Sequence, residues 1–130
     1  MIFLETILSG AYVIEIEKIE DERGFFSRIW DREEFSKIGL ETEFVQSSIS
    51  YNKKKGTIRG MHYQTKPYEE NKIVRCTKGR IFDVIIDLRP ESKSYKKSFS
   101  VELSDDNYKM LYIPKGFAHG FQTLENNTEI

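Results

Sequence analysis

The sequence predicts an all-β domain, an antiparallel sandwich or barrel, with one short helix on its outside. Three observations point there. Short apolar runs recur along the 130 residues, separated by turns rich in Gly, Asp, Asn or Lys. Aromatic residues make up 13% of the chain, which suits a β-rich core or a stacking pocket better than a helical bundle. Only one stretch carries both a helix start and a helix stop.

The elements follow in order. Tyr12 to Glu17 alternates apolar and polar side chains, the period of a half-buried strand. Asp21-Glu22-Arg23-Gly24 is a turn leading into a second strand, Phe25 to Trp30. The helix comes next. Asp31 is a suitable N-cap, Glu34 completes a capping box and Gly39 can end it, with Phe35 and Ile38 as its apolar face. Phe44 to Ser50 and Thr57 to His62 read as strands on either side of the basic loop Asn52 to Gly56. Lys72 to Thr77 and Arg80 to Leu88 flank a Lys78-Gly79 turn, and the second of these is the most apolar run, so it belongs in the middle of a sheet. Ser98 to Leu103 and Tyr108 to Ile113 flank Ser104-Asp105-Asp106-Asn107; Ala118 to Leu124 follows the turn at Pro114-Lys115-Gly116. There is no repeat, low-complexity tract or domain linker, so the expectation is one domain over residues 1–130.

Composition narrows the function. Twenty basic residues against 21 acidic ones leave a net charge of −1, which gives no electrostatic footprint for nucleic acid or a membrane surface. The lone Cys76 cannot form an internal disulfide, and Met1 to Leu8 lacks the basic start of a signal peptide. No apolar run approaches the length of a membrane span. A cytoplasmic protein is expected.

The only two histidines stand in similar settings, Arg59-Gly60-Met61-His62-Tyr63-Gln64 and Ile113-Pro114-Lys115-Gly116-Phe117-Ala118-His119-Gly120-Phe121. Each lies in a strand-like run beside glycine and aromatic residues, which predicts that both line one pocket. On a strand, His62 and Gln64 share a side with Gly60, a polar face with room for a ligand. The imidazole can move protons near pH 7, or it can simply be a hydrogen-bonded strand histidine. His119 either caps its turn or enters the same cavity, where Asp83, on the most apolar strand, could orient it. Asp87 could pair with Arg89 and be structural. Lys72, next to Glu69-Glu70, is either half of a surface ion pair or an ammonium aimed at an anion or enolate oxygen. Arg23 and Arg59 have the shape for phosphate. Two histidines without a nearby ligand cluster fall short of a catalytic metal site. Cys76, among core-like neighbours, should be an inert thiol.

At these residues the chain resembles the dTDP-4-dehydrorhamnose 3,5-epimerases, sugar-nucleotide enzymes with a cupin (double-stranded β-helix, or jelly-roll) fold. Asp21-Glu22-Arg23-Gly24-Phe25-Phe26, Phe44-Val45-Gln46 with Ser50, and Gly56 to Gln64 are similar to successive family motifs. So are Lys72 to Arg75, Gly79 to Val84, Asp87-Leu88-Arg89, Leu103-Ser104 with Asn107, and Ile113 to Phe121. The resemblance implies that His62 removes a proton next to the C4 ketone of a nucleotide-linked 4-keto-6-deoxy sugar and that Lys72 stabilises the enolate oxygen. It implies that His119 and Asp83 line and polarise the pocket. Arg23 and Phe26 would hold the nucleotide, commonly across a homodimer interface, while Arg59 and Gln46 would contact the diphosphate and the thymidine-sugar region. It implies no metal and no cofactor.

The family's acid tyrosine and the aspartate that pairs with the base belong to segments following the Gly-Phe-Ala-His-Gly-Phe strand, so neither is carried over to a residue of this chain. In that sense it is a C-terminally short member. Arg28 stands where the family usually has Glu, and Ser48 where it usually has Asn. The expected function is an epimerase or isomerase of deoxysugar and surface-polysaccharide biosynthesis. The alternatives are a non-catalytic relative that binds a sugar nucleotide or a pathway partner, and a shortened inactive product.

Overall fold

Two four-stranded antiparallel sheets pack face to face in the computed structural model, which describes residues 1–130. In chain order the strands are β1 (Ile2–Glu5), β2 (Tyr12–Glu15), β3 (Ile19–Asp21) and β4 (Gly24–Phe26), followed by helix α1 (Arg32–Lys37). Then come β5 (Tyr51–Asn52), β6 (Ile58–His62), β7 (Lys72–Arg75), β8 (Arg80–Asp87), β9 (Ser98–Ser104), β10 (Met110–Ile113), β11 (Phe117–Thr123) and β12 (Thr128–Glu129). One sheet runs β1-β2-β10-β7 and the other β6-β11-β8-β9; β3-β4 and β5-β12 are small two-stranded pairs. The architecture is the all-β sandwich that the sequence predicts, in the form that the family resemblance implies, with the most apolar run, β8, inside its sheet.

The alternation in β8 shows how the sequence builds the core. Ile81, Asp83, Ile85 and Asp87 are buried, while Phe82, Val84 and Ile86 face the other way. Ile81 and Ile85 join Leu103, Phe117 and Phe121 of their own sheet and Val13, Val74, Cys76, Leu111 and Ile113 of the facing sheet in one cluster. The first sheet also buries its other face. There Ile14, Met110 and Tyr112 pack with Phe35 of α1, whose ring meets Phe3 and Tyr112 edge-on.

The helix is capped by Asp31 as the sequence predicts, but Glu34 closes no capping box, because its carboxylate binds the Met1 ammonium instead. Asp31 accepts hydrogen bonds from the N–H groups of Glu33 and Glu34, and Gly39 follows the helix at φ +75°. Its apolar face is narrower than expected. Phe35 is fully buried, but Ile38 at the C-cap turns to solvent.

Other boundaries differ too. The second strand is shorter than Phe25–Trp30 and pairs as β4 with β3, while Ile29 and Trp30 lead into the helix. Phe44 to Ser50 is not a strand. Residues 44–49 make no backbone–backbone hydrogen bond, and only Ser50 is tied down, by reciprocal bonds to Ile130. Strand-like side chains cannot make a strand without a ladder partner. No helix is long and apolar enough to cross a membrane.

Candidate active site

Register brings the two histidines together. In the β6–β11 pair His62 lies directly opposite His119, and opposed residues on antiparallel strands project to the same face. That face is the inner one. His119 Nε2 lies 2.5 Å from Asp83 Oδ1, and Asp83 sits between the core residues Ile81 and Ile85 on β8. The contact is diagonal, because Asp83 is paired with Phe121, two residues beyond His119. His119 is largely covered, whereas His62 stands at the open end of the wall, exposed.

The crossing of β6 and β11 is unusually close. A Cβ on Gly60 would lie 2.5 Å from the carbonyl oxygen of His119, and one on Gly120 would lie 2.9 Å from that of Arg59. Glycine at both positions lets the strands meet there. The register also slips, with Arg59 opposite Phe121 and His62 opposite His119, so β6 carries one extra residue around Gly60-Met61. This bulge breaks the simple alternation expected through Gly60, and Gln64 falls beyond the end of the strand.

Lys72 comes from the facing wall. It is paired with Ile113 on β10, and it shares the side of Val74 and Cys76, all members or neighbours of the inner core. Its ammonium is 3.0 Å from Glu70 Oε1 and is partly exposed. The ion pair foreseen for a surface lysine is therefore present, on a residue whose strand face is the inner one.

Electrostatics separates two buried aspartates. Burial pushes the Asp83 carboxyl above the ordinary carboxylate range, and the His119 hydrogen bond only partly opposes it. Its Oδ2 has no partner at all. Asp87 is saturated by Arg89, Ser92 and Ser94; these bonds outweigh its burial and hold it well below the usual range. Burial raises the Cys76 thiol to about 11, which leaves it unreactive at neutral pH. No group of three His, Cys, Asp or Glu side chains gathers in an arrangement that could hold a metal.

Arg59 is tied back by a residue the sequence did not single out. Its Nε donates to Asn52 Oδ1 at 2.7 Å, and Asn52 is buried at 2% exposure. The remaining candidates lie on other elements. Arg23 and Phe26 project from the β3–β4 hairpin, both exposed, and Arg23 folds back on Asp21. Phe26 lines a cleft of about 330 Å³ with Met1, Glu17, Ile19, Arg28 and Glu34. Gln46 lies on the unpaired segment 44–50, exposed.

The model of the dTDP-4-dehydrorhamnose 3,5-epimerase family matches residues 5–130. An epimerase of that name from Sinorhizobium fredii is 40% identical over 130 residues, covering 100% of this chain and 67% of the relative. The crystal structure of the Bacillus anthracis epimerase with TDP and PPi bound superposes with a TM-score of 0.91 at 38% identity, covering 98% of this chain and 73% of that one. A Legionella pneumophila 3,5-epimerase in complex with dTDP-4-keto-L-rhamnose gives 0.88 at 34% identity, with 98% of this chain and 67% of that one covered. The match spans nearly every residue that builds the two-walled site, and the chain belongs to the dTDP-4-dehydrorhamnose 3,5-epimerase family.

Proposed function

We propose that the chain epimerises a dTDP-linked 4-keto-6-deoxy sugar, the substrate class bound by its relatives. His62 removes the proton on the carbon beside the C4 ketone. The electron pair moves onto the carbonyl oxygen, and the Lys72 ammonium from the opposite wall stabilises the enolate that forms. Solvent returns a proton to the other face of the same carbon, which inverts it, and His62 releases the proton it took to solvent. His119, held by Asp83, lines the wall beside the base. Arg59 takes the diphosphate and Gln46 the thymidine-sugar region. Arg23 and Phe26 reach the nucleotide of the neighbouring subunit in a homodimer.

The observation that carries this is the placement of one imidazole and one ammonium on inner faces of opposed sheets. A binding-only protein is favoured by a different observation: His62 makes no side-chain hydrogen bond, so nothing within these residues fixes its tautomer. Incubation of the dTDP-4-keto-6-deoxy sugar with the protein in deuterium oxide separates the two. An epimerase incorporates deuterium next to the ketone, and His62→Ala abolishes it. Calorimetric binding of dTDP-sugar with no incorporation leaves only the binding protein.

A further inference from the structure

We propose that Asn52 is a positioning residue for Arg59, holding the guanidinium so that its two terminal amino groups form a fully charged fork for phosphate. The proposal rests on the diphosphate role given to Arg59 above and adds the residue that orients it. Three features of the structure support it.

The first is charge. Of the seven arginines, five pair with carboxylates: Arg23 with Asp21, Arg28 with Asp31, Arg32 with Glu43, Arg80 with three acidic groups, and Arg89 with Asp87. Arg75 lies on the strand face turned away from the inner core, its Nε buried and unpartnered. Arg59, three residues before His62 on β6, is anchored by a neutral amide. An amide fixes direction without neutralising charge, so the whole positive charge remains for an anion.

The second is the anchor point. The bond uses Nε, and neither Nη1 nor Nη2 is in an ion pair or hydrogen bond with the protein. Those two amino groups are left as a planar pair of donors, the geometry that matches two phosphate oxygens.

The third is rigidity. Asn52 is 2% exposed and pairs through its backbone with the buried Thr128 on β12. Its Nδ2 donates to Ser50 O at 3.1 Å, which fixes the amide so that Oδ1 turns to Arg59. An arginine side chain otherwise loses considerable rotamer freedom on binding, and a prior anchor reduces that loss.

The test compares Asn52→Ala and Asn52→Asp with the wild-type chain, using calorimetry with dTDP and with thymidine, together with NMR exchange of the Arg59 Nε–H proton. In the wild type that proton should exchange slowly. Asn52→Ala should expose it and weaken dTDP binding about tenfold, the consequence of losing a hydrogen bond to a charged group, while thymidine binding is unchanged. Asn52→Asp should keep the proton protected yet bind dTDP more weakly than the wild type, because the new carboxylate neutralises the fork. Asn52→Ala that binds dTDP as the wild type does, or that loses dTDP and thymidine equally, overturns the proposal. So does Asn52→Asp binding dTDP as tightly as the wild type. A wild-type chain that binds no dTDP overturns the diphosphate role of Arg59 instead, and the Nε–H exchange still decides whether Asn52 holds it.

Discussion

Asp83 and Asp87 share one buried face of β8, yet they respond oppositely to charge. Asp87 is enclosed by donors, and its carboxyl stays ionised. Asp83 has one partner and one empty oxygen, and its carboxyl is raised. The signs of their pH effects therefore differ. A depressed folded value stabilises the protein above the unfolded value of about 4 and loses that contribution as pH falls from there through the folded value. A raised folded value means that the unfolded chain ionises first, so stability declines as pH climbs from about 4 toward the Asp83 value. Urea unfolding across pH should show Asp87→Asn weaker by about 3 kcal/mol at pH 7, with the gap closing in acid. Asp83→Asn should remove the decline on the alkaline side; a wild-type slope in that variant would refute the raised carboxyl. Both pairings were legible from residue types, Asp87 with Arg89 because they are two apart in the chain, and Asp83 with His119 because a buried carboxylate needs a partner. The hold of Asn52 on Arg59 was not legible. It joins two residues seven apart across a loop whose lysines dominate the sequence signal.

At the level of elements, the site depends on how closely β6 and β11 approach. Gly60 has φ +98°, and an added Cβ would meet backbone, which cannot swing aside. Gly24 has φ +131° with nothing within 4 Å of its added Cβ. Gly60→Ala should therefore cost more than Gly24→Ala, on the order of 3 kcal/mol against about 1, and should release hydrogen-exchange protection in β6 and β11. Equal costs would mean that the crossing is not constrained by the missing side chains. The long strands and the helix could be read from periodicity and capping because each carries its own signal. Four short strands could not. β3 has three residues and β5 and β12 two each, too few to show a period, and β1 exists because β2 offers a ladder. The bulge in β6 was hidden for the same reason, since an extra residue is defined only against its partner. Phe44 to Ser50 is the converse case, a strand-like pattern for which this chain supplies no partner.

For the molecule as a whole, that unpaired segment bears on the proposed homodimer. Val45 is 94% exposed and Ile49 75%, on a stretch whose backbone donors and acceptors between 44 and 49 meet no other backbone group. Phe26 at 67% and Ile19 at 71% expose further apolar surface on the hairpin. Apolar side chains beside an open backbone edge favour pairing with another chain, and a second copy is the partner the family resemblance supplies. Sedimentation at micromolar concentration should give twice the 15.3 kDa chain mass. Val45→Asp combined with Ile49→Asp should give a folded monomer, since neither side chain contributes to the core. If Arg23 and Phe26 serve the neighbouring subunit, that monomer also loses dTDP affinity while its own His62 and Lys72 remain in place. A doubly substituted protein that stays dimeric would place the interface elsewhere. A monomer with undiminished dTDP affinity would return the hairpin to its own subunit and leave the nucleotide to Arg59 and its neighbours alone.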